Sequence, residues 1–229
     1  MITENYRIVL GKIGDACIKS GRKPASIRLI AVSKMQPIER IIEASNLGIS
    51  DFGENRIQEA QQKIGRLRNF KLTWHLVGRL QANKVKKAVS LFDVIHSVSS
   101  LEVAEKINDE AGKLDKHQKI LLQVNISGEP TKGGFTEQGL ATAFPKLLQL
   151  PHITLLGLMT IAPLADNPEL SRPIFKKMCK LRNDLEKTHS VSLPELSMGM
   201  SQDFEVAIEE GSTMVRIGTA LFGERKQGK

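Results

Sequence analysis

The sequence predicts an α/β chain that closes as a single-domain (β/α)8 barrel, a TIM barrel, with an additional helix at its N-terminus. Three observations carry this expectation. Short aliphatic, β-branched runs alternate with longer stretches of helical apolar spacing. Eight such pairs follow one another within 229 residues, which favours closure over an open doubly wound sheet. Gly and Pro are scattered rather than gathered into a linker, so residues 1–229 read as one domain.

The first segment is helical. Tyr6, Leu10, Ile13 and Cys17 recur at helical spacing, with Thr3 as N-cap and Gly21 as stop. This helix, within 1–21, is expected to pack on the barrel. Leu29 to Val32 is the first strand and ends at Ser33-Lys34. Pro37 then opens a helix carrying Ile38, Ile41, Ile42 and Ala44, closed by Gly48. Ile49 to Phe52 is the second strand, followed by Ile57, Ala60, Ile64 and Leu67 on a helix. Leu72 to Val77 is the third, with Val85, Ala88 and Val89 marking its helix. Val94-Ile95 lies in the fourth, before Leu101, Ala104, Ile107 and Ala111. Ile120 to Val124 is the fifth, before Leu140, Ala143, Phe144, Leu147 and Leu148. The sixth lies within Ile153 to Ile161, before Ile174, Met178, Leu181 and Leu185. The seventh is weak, around Leu196 to Met198, with Phe204, Ala207 and Ile208 behind it, and Met214 to Ile217 is the eighth.

Composition excludes several function classes. The formal net charge is +8, but aromatics make up only 4% of the chain. The cluster Lys84, Lys86 and Lys87 therefore lacks the stacking residues of a nucleic-acid surface and reads as a solvated helix face. The excess charge still favours an anionic ligand. Cys17 and Cys179 have no CxxC pairing and no His at ligand spacing, so neither a metal site nor a redox motif is expected. The start, MITENYRIVL, lacks a basic n-region and a long apolar h-region, and no later run is suited to crossing a bilayer. The expected location is the cytoplasm, with no membrane and no nucleic-acid partner.

Barrels carry their chemistry on the loops at the C-terminal ends of strands. Ile30, Val32 and Lys34 share strand parity, so if the first two face the interior, so does the lysine. Desolvation there lowers an ammonium pKa toward the nucleophilic range, which suits Schiff-base formation with an aldehyde. Position alone would favour an ordinary surface lysine at a strand end. Arg216, in Met-Val-Arg-Ile-Gly, needs an anion if buried, and a phosphate or an internal carboxylate such as Glu54 would serve equally. The phosphate reading gains from Gly218-Thr219-Ala220, which would present bare N–H groups, and from Gly199 and Ser201 on the preceding loop. Asn55 either bonds a ring oxygen or caps the next helix. His75 reads as a satisfied core histidine rather than a base. Glu54 would balance Lys34 or Arg216.

Several stretches then carry a resemblance. Ala31-Val32-Ser33-Lys34, Phe52-Gly53-Glu54-Asn55, Leu196-Ser197-Met198-Gly199-Met200-Ser201 and the run from Gly211 to Thr219 resemble the pyridoxal phosphate homeostasis proteins. That family shares the fold of the barrel domain of bacterial alanine racemase. The resemblance implies pyridoxal 5′-phosphate (PLP) as cofactor and Lys34 as its Schiff-base lysine. It implies Ser201, Gly218 and Thr219 as the phosphate cradle, Asn55 and Met200 as pocket lining, and Arg216 facing either the phosphate or the pyridine nitrogen. Arg79 and Met35 depart from the family pattern and touch loop shape rather than the anchors. The expected protein is a monomeric, non-enzymatic PLP binder acting in PLP homeostasis and amino-acid balance, with PLP-dependent apo-enzymes as partners. A racemase of this fold takes one acid/base partner from a second domain or subunit, which nothing after Gly223 is expected to supply. The competing readings are a PLP-dependent racemase or lyase using His75 as base, and a Schiff-base aldolase without a cofactor.

Overall fold

Each aliphatic run becomes a strand because its two faces meet two different apolar layers, one inside the barrel and one beneath the helices. The computed structural model describes residues 1–129 and 132–224. The strands are β1 (Arg28–Val32), β2 (Asp51–Glu54), β3 (Thr73–Leu76), β4 (Val94–Val98), β5 (Gln118–Gln123), β6 (Ile153–Met159), β7 (Glu195–Met200) and β8 (Met214–Ile217). They form a closed barrel in sequence order, every pair parallel, with Ile30 of β1 opposite Arg216 of β8 at the closure. Helix α1 (Ile2–Lys19) precedes the barrel. Helices α2 (Ile38–Asn46), α3 (Ile57–Arg66), α4 (Val85–Leu91), α5 (Leu101–Gly112), α6 (Glu137–Leu147), α7 (Arg172–His189) and α8 (Phe204–Glu209) follow the first seven strands in turn, and α9 (Thr219–Phe222) follows β8.

The side-chain alternation along each strand separates the layers. Ile30, Val94, Leu121, Met159 and Met214 form a small cluster inside the barrel. Their strand neighbours Ala31, Ile95, Leu122, Leu158 and Val215 belong to the larger cluster shared with the helices. By the same alternation Asp51, His75, His96, Ser197 and Arg216 point inward.

Two details of the sequence reading are corrected. Thr3 does not cap the first helix: α1 begins at Ile2, with Met1 in the cap position and no side-chain cap bond. Ile2 is fully buried, so packing of that side chain fixes the first turn, and Thr3 lies inside it. The buried face runs through Ile2, Val9, Ile13, Ala16 and Cys17, leaving Leu10 45% exposed. Likewise β2 begins at Asp51 rather than Ile49, because pairing with β3 starts at Asp51 opposite Thr73. Ile49 instead enters the core from the connection.

Helix α1 packs on α8 and α9. Lys12 bridges to Glu205 at 2.8 Å, and the Asn5 side-chain amide donates to the Leu221 carbonyl at 3.0 Å. Among the described residues no helix is long and apolar enough to cross a membrane.

Gly199, at the end of β7, has φ +89, and a Cβ there would lie 2.6 Å from the Ala207 Cβ and 2.8 Å from the Phe204 Cα. Gly199→Ala is expected to destabilise the fold by more than ~2 kcal/mol, a drop of several degrees in Tm. A Cβ on Gly65, in α3, would meet nothing within 4 Å. Gly65→Ala is expected to raise stability by about 0.5–1 kcal/mol. Thermal melts of the two variants beside wild type check both.

Candidate functional site

The residues singled out from the sequence sit at the C-terminal ends of β7, β8, β1 and β2. These four strands are contiguous around the closed barrel. Lys34 and Asn55 each lie within two residues of the ends of the paired strands β1 and β2. Met200 stands opposite Arg216 across the β7–β8 pair. The Ser201 hydroxyl oxygen accepts from the backbone N–H of Gly218 at 3.3 Å and of Ala220 at 3.2 Å, so the turns after β7 and β8 are joined. Thr219, at the start of α9, is exposed between those two donors. Lys34 itself is half-buried, and the residue after it, Met35, adopts φ 60.

Arg216 is 4% exposed and, among the described residues, has no carboxylate in salt-bridge contact. Its guanidinium donates to the Ser197 hydroxyl at 2.6 Å and to the Thr160 carbonyl at 2.9 Å. Burial pulls its pKa down to about 10, with Asp203 acting in the opposite sense, so it stays charged at neutral pH. A longer chain begins at Ser197. Its Oγ is 2.9 Å from His96 Nδ1, His96 Nε2 is 2.9 Å from His75 Nδ1, and His75 Nε2 is 3.0 Å from Asp51 Oδ1.

The end groups fix the direction of the two terminal bonds. Arginine only donates, so Ser197 accepts from it, and a carboxylate only accepts, so His75 donates from Nε2 to Asp51. Between these ends, a His75 that carries its proton on Nε2 takes the Nε2 proton of His96 on its own Nδ1, and His96 Nδ1 then accepts from the Ser197 hydroxyl. In that tautomer arrangement the chain runs one way from a cation to an anion through the two rings. Burial, with His75 and Arg216 nearby, holds the His96 pKa well below its ordinary value, which keeps that ring neutral. Burial pushes the Asp51 carboxyl up, but hydrogen bonds from His75 and Ser50 together with nearby positive charge bring it below the usual range.

Comparison with known proteins places this geometry in a family. The model of the alanine racemase N-terminal domain matches residues 18–226. The pyridoxal phosphate homeostasis protein of Aquifex aeolicus is 48% identical over 97% of this chain and 98% of its own length. The chain belongs to the pyridoxal phosphate homeostasis protein family. The solved structure of the family member PipY of Synechococcus elongatus PCC7942, with PLP bound, is 41% identical with a TM-score of 0.83, covering 92% of this chain and all of that one. An alanine racemase from Clostridium difficile 630 shares the fold at 19% identity and TM-score 0.77, with this chain covering 58% of its length.

For this homeostasis-family chain, several open alternatives now resolve. Glu54 does not neutralise Arg216. Its Oε1 accepts from Lys63 Nζ at 2.7 Å and from the Ser33 hydroxyl at 2.6 Å, outside the barrel under α3. Asn55 does not cap the next helix, because Arg56 occupies that position without a side-chain cap bond. Both nitrogens of His75 are engaged, which makes it the satisfied core histidine expected. Among the described residues no group of three or more His, Cys, Asp or Glu side chains is placed to hold a metal ion. Sequence reasoning missed His96, Ser197, Asp51 and Lys63. The parity of His96 with Val94 in Val-Ile-His-Ser-Val, and of Lys63 with the apolar face of Ala60 and Ile64, were the available signals.

The His96 shift has a signed consequence. A histidine whose folded pKa is depressed favours folding above its unfolded pKa, and that contribution is lost progressively as pH falls below about 6.5. Urea titrations between pH 7.5 and 5 should show stability falling with a slope approaching about 1.4 kcal/mol per pH unit. His96→Asn, less stable at pH 7.5, should show a visibly shallower slope over the same window. Identical slopes would mean that His96 does not titrate on unfolding as described.

Proposed function

We propose that the protein binds PLP at the C-terminal mouth of its barrel as a Schiff base on Lys34, and serves PLP homeostasis rather than turnover. The observation that carries this reading is the convergence, on four contiguous strands, of an amine, a buried arginine and paired backbone donors. The donor set fits the cofactor. Two N–H groups already converge on one oxygen, that of Ser201, which is the arrangement a phosphate oxygen requires. The 41% identity to PipY, solved with PLP bound, supports the same reading.

In this assignment Ser201, Gly218 and Thr219 hold the phosphate, while Asn55 and Met200 line the ring. Arg216, oriented by Ser197 and Thr160, supplies the positive charge beside the cofactor. The neutral Lys34 amine adds to the aldehyde carbon, the carbonyl oxygen leaves as water, and C=N replaces C=O without any redox change. When bound, PLP supplies a conjugated ring that withdraws electrons from that bond. The homeostasis role is favoured over a racemase because His75 has no ring nitrogen left for a substrate. Transfer to PLP-dependent apo-enzymes in the cytoplasm is the corresponding biological setting.

Purified protein mixed with PLP should develop visible absorbance, and borohydride should fix the label on Lys34. Lys34→Ala should lose both and keep its fold, with weak phosphate-directed binding surviving. A label fixed on another lysine would overturn the anchor assignment, and absence of colour in wild type would favour the cofactor-free aldolase.

Ser201→Ala and Thr219→Val should each weaken PLP retention by about 1.5–3 kcal/mol, the contribution of one hydrogen bond to a charged group. Pyridoxal without its phosphate should bind far more weakly than PLP, and equal affinity would remove the cradle.

Arg216→Gln should shrink the rise in Tm that PLP gives the wild type, since ligand stabilisation scales with affinity. Melting curves against PLP concentration decide it. Parallel wild-type and variant responses would leave Arg216 as a purely structural member of the polar chain.

A further inference from the structure

Lys34 stands between two residues whose backbones are held by a single charged cluster on the β2–α3 unit. On one side, Ser33 is fully buried, with its hydroxyl on Glu54 Oε1 and its carbonyl accepting from Lys63 Nζ at 2.6 Å. On the other, the Met35 N–H donates to Glu59 Oε1. Lys63 ties these together. Its ammonium, on a residue 5% exposed, donates to the Ser33 carbonyl, to Glu54 Oε1 and to Glu59 Oε1 at 2.6 Å, using all three of its protons.

Stability alone gives no reason for this cluster. A buried ion pair adds little net stability over an apolar replacement, because desolvation offsets its attraction. Glu54 Oε2 is moreover buried with no hydrogen-bond partner among the described residues, a further cost. Met35 holds a left-handed backbone conformation unfavourable for a residue with a side chain, inside a turn that Gln36 N–H closes on the Ser33 carbonyl, and its own N–H is held by the Glu59 acceptor. What the cluster delivers is geometry at the lysine between its two contact points.

We infer that Lys63, with Glu54 and Glu59, is a positioning cluster for the Lys34 amine, fixing Ser33 and Met35 so that the amine meets the PLP aldehyde in a reactive orientation. The inference rests on Lys34 being the PLP anchor. Misplacing a reacting group by about 1 Å can slow bond formation on the order of 100-fold, whereas the phosphate cradle on β7 and β8 lies outside the cluster.

The test uses the full chain, with Lys63→Met and Glu59→Ala as variants. Three quantities are read: the rate of visible absorbance growth after mixing with PLP, the borohydride-fixed label on Lys34, and affinity for pyridoxine 5′-phosphate, which has ring and phosphate but no aldehyde. Both variants should attach PLP on the order of 10–100-fold more slowly and keep pyridoxine 5′-phosphate affinity within about twofold. The substitutions change the cluster charge in opposite directions, so a through-space effect on the amine would move the two rates oppositely. Opposite shifts, wild-type rates, or parallel loss of both ligands would overturn the inference. If Lys63→Met does not fold, Glu59→Ala, at a half-buried position, decides alone by the same two readouts. A wild type that takes no label on Lys34 overturns the anchor reading and this inference together, whereas labelled wild type with unaffected variants overturns only the inference.

Discussion

A guanidinium buried inside a barrel, with no carboxylate touching it among the described residues, sets conditions that the surrounding strands meet. Arg216 cannot shed its proton at neutral pH, so its charge must be spread through hydrogen bonds. The chain through Ser197, His96 and His75 to Asp51 does this by polarising successive groups toward an anion on β2. The cost is paid in apolar volume: one inward position on each of β2, β3, β4, β7 and β8 is polar, and the interior apolar cluster is left small. The outer layer beneath the helices therefore carries most of the hydrophobic core.

Two buried polar systems thus flank the mouth of the barrel, on opposite faces of its wall. The inner one orients Arg216. The outer one, under α3, grips the backbone on both sides of Lys34. They share no residue: the inner one reaches the site from β7 and β8, the outer one from β1, β2 and α3. Charge environment and backbone geometry can therefore be altered separately at this site, which a single merged network would not permit.

The element order was legible because both apolar layers leave their period in the sequence. The eighth strand coincides with its expected bounds, Met214 to Ile217. The weak seventh strand was expected at Leu196 to Met198 and extends to Met200, since Ser197 and Gly199 interrupt the aliphatic run that signals a strand. Glycine there answers to a close approach by Phe204 and Ala207, which no periodicity records. Lys34 and Arg216 were legible as charges on apolar strands. Their partners were not, because Lys63 looks like any helix lysine until α3 is docked, and His96 joins Ser197 only after the sheet closes across β5 and β6. Contacts made through closure carry no local signal.

Closure itself has a consequence for biosynthesis. The pairing of Ile30 with Arg216 joins the first strand made to the last, and α9 then docks on α1 through Asn5 and Leu221. During translation Lys34 emerges well before Ser201, Gly218 and Thr219 exist, and the turns after β7 and β8 join the wall beside β1 only when β8 enters the sheet. On the proposed assignment, completing the barrel and creating the ligand site would be one event, governed by a contact between distant parts of the chain and correspondingly slow to form. On the same assignment, a nascent chain would be spared premature capture of a reactive aldehyde, and competence to bind would report that the whole wall has been built.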